Sequence, residues 1–162
     1  MTNRGILEVT TPTEREIVMT RVFKAPRTLV YDAFTKPELL KRWFRCRGYS
    51  LTVCEVDFQV GGAWRFVFAH PDGKAMGMSG VYREIVSPER DVHTECMEGY
   101  PGESLVTGVF TESDGKTTLT VTCLYDSQEV RDMVIQTGME HGAAETYDNL
   151  DEYLATVTAT AA

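Results

Sequence analysis

Residues 135–156 read IQTGMEHGAAETYDNLDEYLAT, and whether they form a helix decides what kind of domain this is. Set out at about 100° per residue, Met139, Ala143, Tyr147, Leu150 and Leu154 fall on one seam, as a helix lying on a sheet requires. Traced backwards, the seam meets Gln136 and Asp132, with Met133 and Ile135 on its flanks, so the core-facing stripe turns partly polar. Either this half roofs a cavity whose mouth admits water and a polar head group, or the first turns overhang the sheet edge. Asp126 or Ser127 can cap the start, with Glu129 in the first turn. Together these signals predict one C-terminal helix of roughly eight turns. Inside it stand Gly138 and Gly142, each costing a helix about 1 kcal/mol relative to alanine. They lie off the seam, where they let a neighbouring segment such as residues 37–44 approach closely, or permit a bend over a ligand.

The rest of the chain supplies the sheet. Residues 15–23, REIVMTRVF, alternate with Ile17, Met19, Arg21 and Phe23 on one side, a first strand. KAPRTLVYDAFTKPELLKRWF follows as two short helices, divided at Lys36-Pro37 because a residue before proline is pushed out of the helical region. From Ser50 the period becomes two. SLTVCEVDF, GGAWRFVFAH, AMGMSGVYREIV, DVHTECME, SLVTGVFTES and GKTTLTVTCLYD are separated by turn sequences, a run of about six antiparallel strands joined mainly by hairpins. The order is strand, two helices, six strands, long helix. This is an α+β domain: a curved antiparallel sheet of six to seven strands wrapped around the last helix. Residues 1–14 read as a flexible extension, 15–157 as the single domain and 158–162 as a frayed tail. A curled sheet under one straight helix leaves a concavity that large side chains must fill or a ligand can occupy.

Composition narrows the functional classes. With 162 residues the chain can bury an ordinary core without staples. A net charge of −8 with interspersed basic residues lacks the footprint of a nucleic-acid binder and disfavours anionic partners. No apolar run approaches spanning length and no secretory signal opens the chain, so the expectation is a cytoplasmic protein with reduced thiols and no membrane insertion. The four cysteines show no C-x-x-C pairing and the three histidines are scattered, so no metal is expected. No phosphate loop is visible, and no cofactor is expected.

RVFKAPRTLVYDAFTKPELLKRWF, DFQVGGAWRFVFAHPDG, GVYREIVSPERDVHTE and the run from DGKTTLTV to DEYLA together resemble one branch of the START and birch-pollen-allergen superfamily (SRPBCC). That branch is named for homology to the activator of the ninety-kilodalton heat-shock protein ATPase. The resemblance spans residues 15–155 in order. It implies a helix-grip fold with a hydrophobic pocket between sheet and long helix, and no particular reaction. Relatives across the superfamily include lipid carriers, hormone-binding proteins and aromatic polyketide cyclases.

On that expectation the ligand is small and apolar or aromatic. Trp64, Phe66 and Phe68 alternate onto one face of a strand, and Met78 and Tyr82 share it across Gly80. Met133, Gln136, Met139 and Tyr147 contribute from the helix. These nine form the expected wall. The same face would be core in a packed protein. For a cyclase or hydrolase, Glu140 on the flank of the seam is the weak candidate acid or base, in competition with a solvated carboxylate. Ser79 is not in a nucleophile elbow, His70 ends a hairpin, and Glu55 and Asp57 belong to the solvent face. A chaperone interaction enters by analogy with the family name alone, and homodimerisation through a sheet edge or helix is compatible with the sequence.

Overall fold

The computed structural model describes residues 5–99 and 102–160, with side chains to Thr158. Eight strands form one antiparallel sheet in the order β1-β2-β8-β7-β6-β5-β4-β3. They are β1 (Glu8–Thr10), β2 (Glu16–Phe23), β3 (Ser50–Val56), β4 (Ala63–Ala69), β5 (Ala75–Val86), β6 (Arg90–Met97), β7 (Ser104–Ser113) and β8 (Lys116–Leu124). Two short helices, α1 (Arg27–Thr35) and α2 (Pro37–Trp43), follow β2. The α+β class, the curved antiparallel sheet and the order of elements agree with the reading of the sequence.

Three boundaries differ. Residues 8–10, expected in an extension, pair with β2 through Val9 opposite Met19; three residues carry too little alternation to announce a strand, and the backbone ladder alone defines it. The tail expected from residue 158 is helical to Thr160. The predicted eight-turn helix is two helices, α3 (Gln128–Gln136) and α4 (Met139–Thr160). Ser127 caps α3, its hydroxyl accepting from the Val130 N–H at 3.1 Å. Gly138 ends it with φ +78, a left-handed conformation that glycine adopts without a Cβ penalty.

Both helical glycines face Arg47, in the loop after α2. A Cβ on Gly138 would stand 3.1 Å from Arg47 Nη2, and one on Gly142 would stand 3.5 Å from Nε. The guanidinium donates to the carbonyls of Thr137 and Gly138, while the Arg47 N–H donates to Glu145 Oε2 at 2.7 Å. So the close approach comes from the loop rather than from residues 37–44 as a helix, and it straps the break.

The seam of α4 packs as the wheel predicts. Tyr147, Leu150 and Leu154 join Phe23, Val30, Trp43, Phe110 and Leu119 in the main core, and Met139 and Ala143 lie against a smaller cluster of Ile17, Met19, Val106 and Cys123. Full burial of each large apolar side chain contributes about 1.5–3 kcal/mol. Arg21, 2% exposed, points inward from β2 and donates to Asp148 at 2.8 Å and Asp151 at 2.5 Å on α4.

Candidate functional site

Directly opposed residues of neighbouring strands share a face, so register carries the concave face across the sheet. Ile17, beneath the helices, opposes Cys123; Cys123 opposes Val106; Val106 opposes His93; His93 opposes Tyr82. On β6 that face therefore carries Asp91, His93 and Glu95. On β4 it carries Trp64, Phe66 and Phe68, opposite Gly80, Met78 and Met76.

The helices cover this face unequally. Phe23, Leu119, Phe110 and Leu150 are at most 2% exposed. Toward the other end Phe66, Met78, His93, Glu95, Val121 and Tyr125 are only partly covered, and Met97 is 40% exposed. The uncovered half sets apolar side chains around a polar floor. His93 lies centrally on that floor, with Nδ1 3.8 Å from Asp91 Oδ1 and Nε2 3.9 Å from Glu95 Oε2. Trp64 stands edge-on to the imidazole with ring centres 5.5 Å apart, and Phe66 tilts against Trp64 at 4.9 Å.

Two buried ring nitrogens here have no hydrogen-bond partner, Trp64 Nε1 and His93 Nδ1. Leaving a buried polar group unpaired costs about 1–3 kcal/mol. The β5–β6 ladder is also interrupted here: pairing passes from Ser79 and Cys96 to Tyr82 and His93, and the Val81 N–H donates to Thr94 Oγ1 at 2.9 Å. Gly80 lies in that gap beneath the indole, where a Cβ would come within 1.8 Å of the Thr94 carbonyl oxygen and 2.7 Å of Trp64 Nε1.

Glu95 behaves as a group at the bottom of a cleft. Its side chain is 36% exposed, yet desolvation raises its pKa above the usual carboxylate value, with the His93 charge pulling the other way. Burial, reinforced by the Glu95 charge, pushes the Cys123 thiol up to about 12. The Tyr125 and Tyr147 hydroxyls are also raised, by burial first and then by Cys123 and Glu95. At neutral pH the thiol and both phenols keep their protons.

Among the residues expected at the wall, Trp64, Phe66, Phe68, Met78 and Tyr82 share the concave face, and Met139 and Tyr147 meet it from α4. Met133, 58% exposed, and Gln136, also exposed, do not: they line an open depression on the outside of α3 with Gln128, Glu129 and Asp132. The helix break removes them from the seam. Glu140 is exposed in the first turn of α4, where a carboxylate suits the helix dipole, and it does not enter the cleft. Asp91, His93, Glu95, Cys123 and Tyr125 were not expected. Their signal was the alternation of Asp91, His93 and Glu95 in one strand, masked because the intervening Val92 and Thr94 are more apolar and are also buried. Among the described residues, no group of three or more His, Cys, Asp or Glu is placed to hold a metal, and no helix is long and apolar enough to cross a membrane.

Comparison with known proteins agrees with this fold. Residues 24–155 match the family described as Activator of Hsp90 ATPase homolog 1-like protein. A crystal structure from Rhodobacter sphaeroides is 30% identical, with a TM-score of 0.89 over 93% of this chain and 98% of that one. One from Mycobacterium smegmatis is 24% identical, with a TM-score of 0.82 over 96% of this chain and 99% of that one. An Hsp90 activator from Plasmodium falciparum shares the fold more loosely, 24% identical with a TM-score of 0.55 over 68% of this chain and 73% of that one. No curated protein matches significantly.

Proposed function

The chain belongs to the Activator of Hsp90 ATPase homolog 1-like family, and from that premise we propose that it is a small-molecule binding protein of the helix-grip type. Its ligand is a small apolar or aromatic molecule held in the cleft between the sheet and the C-terminal helices. The observation that carries this reading is the uncovered half of the concave face. There apolar Phe66, Met78 and Val121 and polar His93 and Glu95 remain reachable, while the other half of the same face is closed. Apolar walls with a few convergent polar groups are what a small-ligand site requires. The unpartnered Trp64 and His93 nitrogens add hydrogen-bonding capacity beside them. The chaperone role in the Plasmodium falciparum protein's title stays with that protein, since a likeness at 24% identity carries the fold alone.

Native mass spectrometry of the purified protein, followed by thermal melting against sterols, flavonoids and polyketide-like aromatics, tests the proposal. A ligand of the folded state at a hundred times its Kd adds about 2.7 kcal/mol of stability. Ala143→Phe, placing a ring at the partly covered α4 wall, is expected to abolish that gain. A protein that purifies empty and is indifferent to the whole panel would overturn the reading.

A further inference from the structure

The cleft floor is a carboxylate, an imidazole and a second carboxylate in line: Asp91, His93 and Glu95, with the imidazole nitrogens 3.8 and 3.9 Å from their acidic neighbours. Three arginines on or beside the elements that cover this face are committed elsewhere. Arg21 is held by Asp148 and Asp151. Arg131 of α3 donates to the carbonyls of Thr13 and Glu16 and pairs with Asp132. Arg47 is tied to the carbonyls at the helix break. Between Gln128 and Thr160 the roof contains one arginine and no lysine against seven acidic residues. Beside this floor the indole of Trp64, 4% exposed, carries a donor without an acceptor.

A carboxylate brought here would face two acids that, among the described residues, no arginine or lysine pairs, and such juxtaposition is unfavourable. A neutral oxygen meets the opposite situation. A carbonyl can accept from the indole N–H, and a hydroxyl can donate to a carboxylate or to the imidazole.

We propose that the cleft selects uncharged ring compounds bearing a hydroxyl or carbonyl group, with the oxygen over His93 and Glu95, and rejects carboxylated amphiphiles such as fatty acids. This rests on the ligand-binding reading above and specifies its substrate class.

Matched pairs differing only in the polar group test it: 2-naphthol against 2-naphthoate, and dodecanol against laurate, titrated calorimetrically at pH 7.5. The neutral member of a pair is expected to bind at least about tenfold more tightly. Glu95→Gln, which keeps the shape and removes the charge, should narrow the gap at least about threefold, chiefly by improving carboxylate binding. Glu140→Gln makes the same change in net charge on the exposed side of α4 and should leave the gap unchanged. Carboxylates that bind as well as their neutral partners overturn the proposal. So does a gap that Glu95→Gln leaves intact, or that Glu140→Gln narrows equally. Binding of neither member of either pair would instead overturn the ligand-binding reading beneath it, and this proposal with it.

Discussion

Replacing Arg21 with methionine removes the ionic tie between the sheet and the last helix while keeping an unbranched stem against Phe23, over whose ring the guanidinium sits at 5.5 Å. Breaking a buried ion pair from one side costs about 3–5 kcal/mol when the stranded charge stays buried. Here the arginine side chain is 1% exposed, but its partners retain water, Asp148 at 35% and Asp151 at 19%. The two carboxylates keep other stabilisation when the guanidinium is removed, and the expected loss is about 2–3 kcal/mol. For a domain of this size each kcal/mol lowers the melting temperature by about 2–4 °C, so Arg21→Met should melt roughly 4–12 °C below the parent. Urea unfolding should show a lower midpoint with an unchanged slope, marking a stability effect on the same folded state. Adding Asp148→Asn and Asp151→Asn removes the carboxylates that the first change leaves facing each other, and should restore most of the loss. If Arg21→Met melts at or above the parent temperature, or the triple variant melts no higher than the single one, Arg21 is not the electrostatic anchor of α4.

Other positions in the fold set further expectations. Gly138→Ala places a Cβ at φ +78 and against Arg47, and should cost about 1–2 kcal/mol in chemical denaturation; an unchanged midpoint would mean the break tolerates a side chain. Gly80→Ala, whose Cβ would fall 1.8 Å from the Thr94 carbonyl oxygen, should cost about 3 kcal/mol, read from the same experiment. The raised pKa of Glu95 means that the folded state holds its proton more tightly than the unfolded chain does. Stability from this group is thus full below the ordinary value of 4.5 and is lost as pH rises through the folded value. Glu95→Gln should flatten that decline in a series of melts, and a parent whose stability climbs steadily over the same range with no difference from the variant would contradict it. With its thiol pushed up to about 12, Cys123 should resist alkylation of the native protein at pH 8 and react once unfolded, as mapped by mass spectrometry.

The sheet was legible because its strands alternate and its turns carry Gly, Asp and Pro at regular spacing. The seam of α4 was legible because Met139, Ala143, Tyr147, Leu150 and Leu154 satisfy a helical period whatever lies opposite. The break at Gly138 was not: a glycine in a periodic segment is compatible with a continuous helix, and what decides is Arg47, ninety-one residues earlier, whose guanidinium occupies the space above it. The polar floor was hidden for a different reason. In β6, Val92 and Thr94 on one side and Asp91, His93 and Glu95 on the other make the more apolar set look like the inner one. Only pairing with Val106 and Gly108 of β7 turns the charged set inward.

These two unread features are connected. The break at Thr137 and Gly138 directs α3 toward the start of β2, where Arg131 donates to Thr13 and Glu16 and Val134 packs beside Ile17 and Met19. The aromatic wall and the polar floor of Asp91, His93 and Glu95 lie on β4, β5 and β6, across the sheet from that anchorage. The apolar seam of the C-terminal segment thus ends near Met139, and the helix that precedes it turns its exposed Met133 and Gln136 outward rather than over His93 and Glu95. Exposed carboxylates on a concave face would be costly under a continuous apolar roof. A roof interrupted at Gly138 lets the floor keep its charge and its access to water, so the glycine that weakens the helix is also what leaves the cleft open.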